Sequence, residues 1–487
     1  PWPSSCSAPC SPRMVRLSTL PTTRNEKRVG TFAVFTPGDS PLPLALAAGC
    51  TAGCGLALWR LLPRPDTELS VREGVLLVTL IWVFVCLFGG LPFLFSPQFT
   101  SVTDAIFESA SGFTTTGATI LPDVEILPPG IQLWRCFTHW LGGMGIVLLG
   151  VAILPLLGTG GMHMYRAEFS GAKSEKLKPR ITETALSLWR IYVALTVAEF
   201  IALRFAGMSV FEAACHSFST LGTGGFSSRT ASVAGFESPL IEYIIIVFMV
   251  LAGINFTLHY RLWRQRQVGR FVRDVELRGY LLVLFGAAAV ICLSLVAESG
   301  YTLERAVRAA LFQAASIVTT TGFITDDYEL WRPLCQVLLL SLMFVGGCTG
   351  STAGGLKVAR FLLLGRVVDR QFKKIVEPRG VFAIRLGGTV IPEVTVQVLL
   401  NLLFLAVAVF AVACLILAAA GVDVLTCIAA VTASMFNIGP GLGEAGPVDN
   451  YGHFPALVKW VLAGCMICGR LEFFTALVVF TPSFWRK

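Results

Sequence analysis

Four short turns interrupt an otherwise apolar chain: Thr115-Thr116-Gly117-Ala118, Thr220-Leu221-Gly222-Thr223, Thr320-Thr321-Gly322-Phe323 and Asn437-Ile438-Gly439-Pro440. None holds a carboxylate, an imidazole or a thiol, so their side chains offer no acid–base, nucleophilic or metal-binding chemistry. What they offer is backbone. Glycine reaches φ values closed to other residues without a Cβ clash, and a turn built on it can aim carbonyl oxygens at one axis. A ring of such carbonyls replaces the hydration shell of a permeating cation, as in potassium-channel filters. The candidate ion-binding set is therefore Thr115, Thr116, Gly117, Thr220, Leu221, Gly222, Thr320, Thr321, Gly322, Asn437, Ile438 and Gly439, with K⁺ as the ion. The flanks differ between turns, which predicts an asymmetric ring that excludes Na⁺ less strictly than a fourfold TVGYG filter.

Two further features carry charge or irregular backbone in apolar surroundings. "FVGGCTGSTAGGLK" (344–357) interrupts the apolar stretch 333–365 with residues that make poor helix. Gly350 and Gly355 have the gap of a phosphate loop, but Leu356 stands where that motif needs lysine, and no strand precedes it. A broken helix lining a cavity is the better reading. Arg470 lies within the apolar stretch 456–481. A charge at mid-span costs roughly 2.5–3.5 kcal/mol on insertion scales, so a position facing the permeation path is expected.

The elements that must position these residues follow from composition. The chain is 54% hydrophobic and 14% charged, with a mean hydropathy of +0.72. A soluble chain carries about 25% charge. Apolar segments near 41–62, 74–96, 131–157, 184–207, 239–263, 277–298, 333–365, 393–421 and 454–481 give about nine candidate spans. Between them lie half-polar segments at 101–122, 209–228, 302–326 and 423–444. Each opens with N-cap chemistry: Ser101-x-x-Asp104 and Ser209-x-x-Glu212 resemble capping boxes, and Thr302 and Asp423 are single caps. Each then breaks at one of the four turns, so that the glycines recur at intervals of roughly a hundred residues. The expected fold is an all-α polytopic membrane protein of four pseudo-repeated helix–pore loop–helix units around a central ion pore. The short helices would point the negative ends of their dipoles at that axis, favouring a cation.

The expected organisation is an atypical basic N-terminus over 1–40, then an extra membrane helix and loop over 41–73. The pore repeats follow at 74–157, 184–263, 277–365 (with a broken second helix) and 393–487. Cytoplasmic connectors occupy 158–183, 264–276 and 366–392. These connectors and their flanks are rich in Lys and Arg, whereas 97–130 and 422–453 have none. By the positive-inside rule the basic side is cytoplasmic, with the C-terminus on it. The basic first 40 residues would then fall outside, against the same rule. That suggests either that a first span precedes this sequence or that the tail is not native. The fourteen cysteines sit mostly in apolar runs and read as small hydrophobes; Cys465-x-x-Cys468 lacks a second pair. The charge of +8 reflects loop topology rather than nucleic-acid binding.

The stretches "TTTGATIL" (114–121), "WLGGMGIVLLGVAILP" (140–155), "HSFSTLGTGGFS" (216–227), "GGCTGSTAGGLKVAR" (346–360), "NIGPGLGE" (437–444) and "GRLEFFTALVVFTPSFWR" (469–486) carry a resemblance. From about residue 41 onward the chain is similar to the membrane subunits of Trk/Ktr/HKT-type potassium uptake systems, closest to the bacterial TrkH branch. The resemblance implies K⁺ uptake across the bacterial inner membrane by a non-enzymatic, cofactor-free path. It implies an intramembrane gating loop, here Gly346, Gly347, Thr349, Gly350, Ser351, Thr352, Gly354, Gly355 and Lys357, with Arg470 beside it. It also implies a homodimer and a cytosolic nucleotide-binding regulatory subunit of NAD/ATP type. Members of this branch typically have a further span where residues 1–40 stand here. Two other readings compete. An H⁺- or Na⁺-coupled symporter needs an intramembrane ionisable group, for which Glu199 is the one candidate. A membrane enzyme acting on lipid-linked substrates needs a carboxylate or histidine cluster, which Asp326–Asp327 alone does not make.

Overall fold

The computed structural model describes residues 40–61, 70–153, 181–298 and 300–486. The basic N-terminus and most of the 158–183 connector lie outside the described residues. The elements are helical apart from one two-residue hairpin, β1 (Arg385–Leu386) and β2 (Thr389–Val390), turned by Gly387-Gly388. The helices in order are α1 (Leu42–Leu61), α2 (Val71–Gly89), α3 (Val102–Phe113), α4 (Pro129–Ile153), α5 (Ile181–Phe205), α6 (Val210–Gly222), α7 (Pro239–Ala252) and α8 (Phe256–Gln265). They continue with α9 (Val268–Arg273), α10 (Val275–Glu298), α11 (Leu303–Val318), α12 (Pro333–Met343), α13 (Val358–Val376), α14 (Glu393–Ala419), α15 (Val424–Met435) and α16 (Ala456–Arg470). Very short helical turns, among them Leu91–Leu94 and Phe474–Leu477, fill the joins.

Burial is inverted relative to a soluble protein. Leu282, Leu293, Phe404 and Leu415 on the long helices are 70–76% exposed, while Thr, Ser and His side chains of the short helices are fully buried. Apolar side chains on the outside and polar ones within are what a lipid solvent selects. Among the described residues five helices are long and apolar enough to cross a membrane, or up to seven if each bent pair counts as one span. Two of the apolar segments of the hydropathy reading are bent rather than straight. The stretch 239–263 bends by 95° between α7 and α8, and 454–481 bends by 117° after Arg470. The stretch 333–365 is split between α12 and α13, as its glycines predict. Hydropathy registers apolar content, which a bend does not change.

The four short helices α3, α6, α11 and α15 begin where their caps predict. Ser209 and Glu212 form the full capping box, and Thr302 and Asp423 cap singly. Ser101 accepts from the Thr103 amide instead of boxing with Asp104, whose carboxylate is drawn to Lys459 at 2.6 Å. Each short helix packs against the long helices on either side, α6 for example against both α4 and α5. The segments expected as plain loops hold structure: α13 runs on to Val376 before the hairpin, and α9 lies within 264–276.

Asp423 accepts from the amides of Leu425 and Thr426 at the start of α15. Asp423→Ala is expected to lower stability by about 1 kcal/mol. A fall in the thermal unfolding midpoint of the detergent-solubilised chain, with secondary structure intact, checks this.

Candidate functional site: four broken helices closed into a ring

All four short helices end the same way. The amide of Thr116 donates to Ser111 O (2.8 Å), Gly224 to Ser219 O (2.9 Å), Thr321 to Ser316 O (2.8 Å) and Ile438 to Ala433 O (2.8 Å). The residue before each donor, Thr115, Thr223, Thr320 or Asn437, is left-handed, with φ between 55° and 57°. This is the Schellman helix stop, which normally places glycine at the left-handed position. Here three of the four are threonines. A β-branched residue in that region is a true outlier, at a cost of roughly 1–2 kcal/mol each. Strain of this kind collects at functional sites. The glycine follows two residues later, at Gly117, Gly225, Gly322 and Gly439, again at positive φ.

This fixes the register and corrects one of the four turns. Thr220, Leu221 and Gly222 are the last residues of α6, not its break; the equivalent of Thr115-Thr116-Gly117 is Thr223-Gly224-Gly225. In "TLGTGG" both Thr220 and Thr223 begin a Thr-x-Gly, and only the second sits at the proper distance from the cap. Fourteen residues separate Ser101 from Thr115, Ser209 from Thr223 and Asp423 from Asn437. Thr302 to Thr320 is longer by four, one added helical turn. The caps held the signal that the glycines blurred.

The four breaks meet. A Cβ on Gly117 would strike the carbonyl oxygen of Gly224; on Gly225, that of Thr321; on Gly322, that of Ile438; on Gly439, that of Thr116. Each glycine abuts the middle carbonyl of the next turn, and the fourth returns to the first. The ring is closed, and glycine is required at each joint both for its φ and for lack of room. Its side chains are also tied together: Asn437 Nδ2 donates to Thr116 Oγ1 (3.0 Å) and to Met466 O.

Behind the ring, the residue eight before each middle position braces the outgoing strand. Glu108 accepts from Thr119 Oγ1 (2.9 Å) and the Ile120 amide (3.0 Å). His216 Nε2 bonds Ser227 Oγ (3.0 Å), and Gln313 reaches Thr325 and Asp326 O. The fourth position is Ala430, and tyrosines replace it: Tyr451 donates to Gly439 O (2.7 Å) and Tyr328 to Gly441 O (2.8 Å). Glu108 is also paired with Arg135 at 2.6 Å, both side chains being at most 2% exposed. Arg135 Nη1 donates to Ser227 O, and its guanidinium lies 3.5 Å from the Phe226 ring centroid. One buried ion pair thus holds the outgoing strands of two repeats. Sequence reasoning missed it, although an arginine within the apolar span 131–157 is the kind of charge that marks a site. Asp326 and Asp327 are engaged locally: Tyr301 donates to Asp326, and Asp327 caps the turn at Glu329. Burial raises the Asp327 carboxyl above its usual range, and Asp326 and Asp449 add to that.

The glycine-rich stretch lies directly against the ring. Gly346 and Gly355 pinch together at its neck, and Leu356 N donates to Phe344 O across it. Gly354 N donates to Thr320 Oγ1 (2.6 Å) and Gly355 N to Phe436 O (3.2 Å). Cys348 N donates to Gly253 O (2.9 Å), Phe256 N to Gly350 O (3.0 Å) and Thr352 Oγ1 to Ala252 O (3.2 Å). Ser351 Oγ closes back on Cys348 O, Thr349 N bonds Glu276 Oε1 (2.6 Å), and Lys357 Nζ reaches Ala353 O. Gly347 sits against Gly253 O. Arg470 ends α16 rather than standing at mid-span, and the chain turns sharply after it. It is 3% exposed and donates to Thr352 O (2.9 Å) and Gly142 O (3.0 Å). Glu472 pairs instead with Arg360 (2.6 Å).

Apolar helices turned outward and a closed ring of re-entrant breaks define a polytopic α-helical membrane protein. A family described as TrkH, cation transport protein, matches residues 51–487. The chain is 45% identical over 437 residues to the Trk system potassium uptake protein TrkH of Escherichia coli K12, covering 89% of this chain and 90% of that one. It is 42% identical to the protein of the same name from Halomonas elongata, covering 91% and 92%. The crystal structure of the potassium transporter TrkH from Vibrio parahaemolyticus superposes with a TM-score of 0.84 at 41% identity, covering 91% and 92%. The chain belongs to the TrkH family.

Removing one partner of a buried ion pair costs roughly 3–5 kcal/mol. Arg135→Met is expected to destabilise by about that much, and Glu108→Gln with Arg135→Met to recover part of it. Denaturation of the three variants in detergent, analysed as a double-mutant cycle, measures the coupling.

Proposed function

We propose that this chain carries K⁺ across the bacterial inner membrane through a channel-like path, with its C-terminus in the cytoplasm. The closed cycle of four glycine–carbonyl contacts carries the reading. It supports a selectivity filter of residues 115–117, 223–225, 320–322 and 437–439. The short helices end at the ring, so their negative dipole ends favour a cation there. No ionisable side chain belongs to those twelve positions, so coordination falls to carbonyl oxygens. The reading needs no cofactor and no enzymatic step.

The 346–355 loop and Arg470 form the gate in this reading. The loop donates hydrogen bonds to the ring residue Thr320 and to the carbonyl of Phe436 just before the fourth turn, and Arg470 bridges it to α4. A guanidinium facing a permeating cation opposes its passage, and withdrawal of the loop with its arginine partner relieves that. The names of the relatives place them in a Trk system, which supports a role beside other components, a cytosolic nucleotide-binding subunit among them, and assembly as a homodimer. A coupled symport is the second reading. It is favoured by Glu199, which is fully buried on α5 and whose carboxylate makes no hydrogen bond of standard geometry among the described residues.

Reconstituted flux of K⁺, Rb⁺, Na⁺ and Li⁺ tests the filter. Serine at Gly117, Gly225, Gly322 or Gly439 is expected to reduce K⁺ over Na⁺ discrimination by about tenfold, roughly 1.4 kcal/mol. Thr220→Ser, in α6, is expected to leave it unchanged. Discrimination that survives all four glycine changes rejects the shared ring. Arg470→Ala and deletion of 348–354 are each expected to raise K⁺ leak; unchanged flux in both rejects the gate. Glu199→Gln that leaves K⁺ uptake independent of an imposed pH gradient supports symport, and an unchanged gradient response rejects it.

A further inference from the structure

On the side of the basic loops lies a cavity of about 1110 Å³, walled by α8 to α10, α13 and the β1–β2 hairpin. Arg261, Arg270, Arg273, Arg366 and Arg385 line it, drawn from four elements in two separate stretches of sequence. Its two carboxylates are turned to backbone donors: Asp274 accepts the Leu277 amide (2.9 Å), and Glu276 accepts those of Thr349 and Ala359. None of the five arginines pairs with a carboxylate among the described residues; Arg270 bonds only Gln267. Among the described residues the wall is therefore a convergent surface with more arginines than carboxylates. Guanidinium groups bind phosphate oxygens in bidentate fashion.

The helices that wall the cavity also carry exposed apolar side chains on their other faces. Trp263, Val268 and Val272 are 66%, 57% and 56% exposed. Helix α8 leaves α7 at 95°, so it runs across the direction of the span rather than along it. A basic amphipathic helix lying crosswise with an exposed Trp is the pattern of a segment seated in the membrane interface. Cavity arginines together with exposed apolar residues on the same two helices match a ligand with an anionic head and acyl chains.

We propose that this cavity binds the headgroup of an anionic phospholipid and that occupancy biases the 346–355 loop. The second half rests on the gating reading above. The mechanical link is short. At one end of the cavity-lining segment, Phe256 N donates to Gly350 O, and Cys348 N to Gly253 O just before it. At the other end Glu276 holds the Thr349 amide. A headgroup drawing Arg261, Arg270 and Arg273 toward Arg366 and Arg385 pulls on both attachments of the loop.

The test uses the full chain in phosphatidylcholine nanodiscs and vesicles, with and without phosphatidylglycerol. Lipid retention is read by native mass spectrometry and transport by Rb⁺ flux. Phosphatidylglycerol is expected to be retained by the unmodified chain and by a Lys373→Gln/Lys374→Gln control outside the cavity. Removing Arg270, Arg273, Arg366 or Arg385 as glutamine is expected to weaken retention on the order of fivefold per charge, with the thermal midpoint showing each variant folded. Flux is expected to respond to phosphatidylglycerol in the unmodified chain and the control only. Equal retention in cavity variants and control overturns the site. Tripolyphosphate binding that depends on the arginines, without lipid retention, overturns the lipid as occupant in favour of a soluble polyphosphate. Retention without a flux response overturns the bias on the loop; the leak of the 348–354 deletion then tells whether the gating reading falls with it.

Discussion

The structure depends on one constraint: backbone that leaves a helix inside the membrane must find its hydrogen bonds and its packing within the protein. Four short helices stop inside the protein here, and each stop exposes carbonyls and an amide. The Schellman turn satisfies the helix end locally, with the same amide-to-carbonyl bond in all four repeats. The remaining carbonyls are not packed by any one repeat. Their packing comes from the others, each middle carbonyl resting on the glycine of the repeat before it until the fourth closes on the first. A single repeat has no stable form of its own on these terms, because its turn is half of a contact.

The cost of the arrangement shows in three left-handed threonines. Glycine would relieve that strain but would loosen the turn, since it enlarges the conformational freedom lost on folding. The threonines hold further contacts: Thr320 Oγ1 receives the Gly354 amide, which binds the ring to the loop beneath it. The braces behind the ring show how a shared geometry tolerates different chemistry. A carboxylate, an imidazole and an amide occupy equivalent places in three repeats, and tyrosines from elsewhere serve the fourth. The ring is therefore fourfold in backbone and not in side chains.

Arg470 illustrates the same constraint for a charge. Its described hydrogen bonds go to backbone carbonyls, Thr352 O and Gly142 O. Thr352 O is open to accept because the chain is irregular there, and Gly142 O, inside α4, takes the arginine as a further donor. A buried cation and a broken helix thus satisfy one another, and neither is stable at that depth alone. The carboxylate nearest in sequence, Glu472, pairs with Arg360, and among the described residues no carboxylate pairs with Arg470.

Much of this was written in the chain. Apolar content fixed the solvent, the N-caps fixed where the short helices begin, and glycines marked three of the four breaks and the interruption after Met343. These are local properties, set by a residue and its neighbours within a turn or two. Sequence reasoning failed where two local solutions were equally good, as at Thr220 and Thr223, or where hydropathy was blind to direction, as in the bends after Ala252 and Arg470. It also missed the pairing of Glu108 with Arg135, since nothing local says which of many polar residues will meet. The sequence by itself determined that the helices must break and roughly where. Only the tertiary structure decided which carbonyl faces which glycine, because that contact joins four segments about a hundred residues apart and exists only once all four are in place.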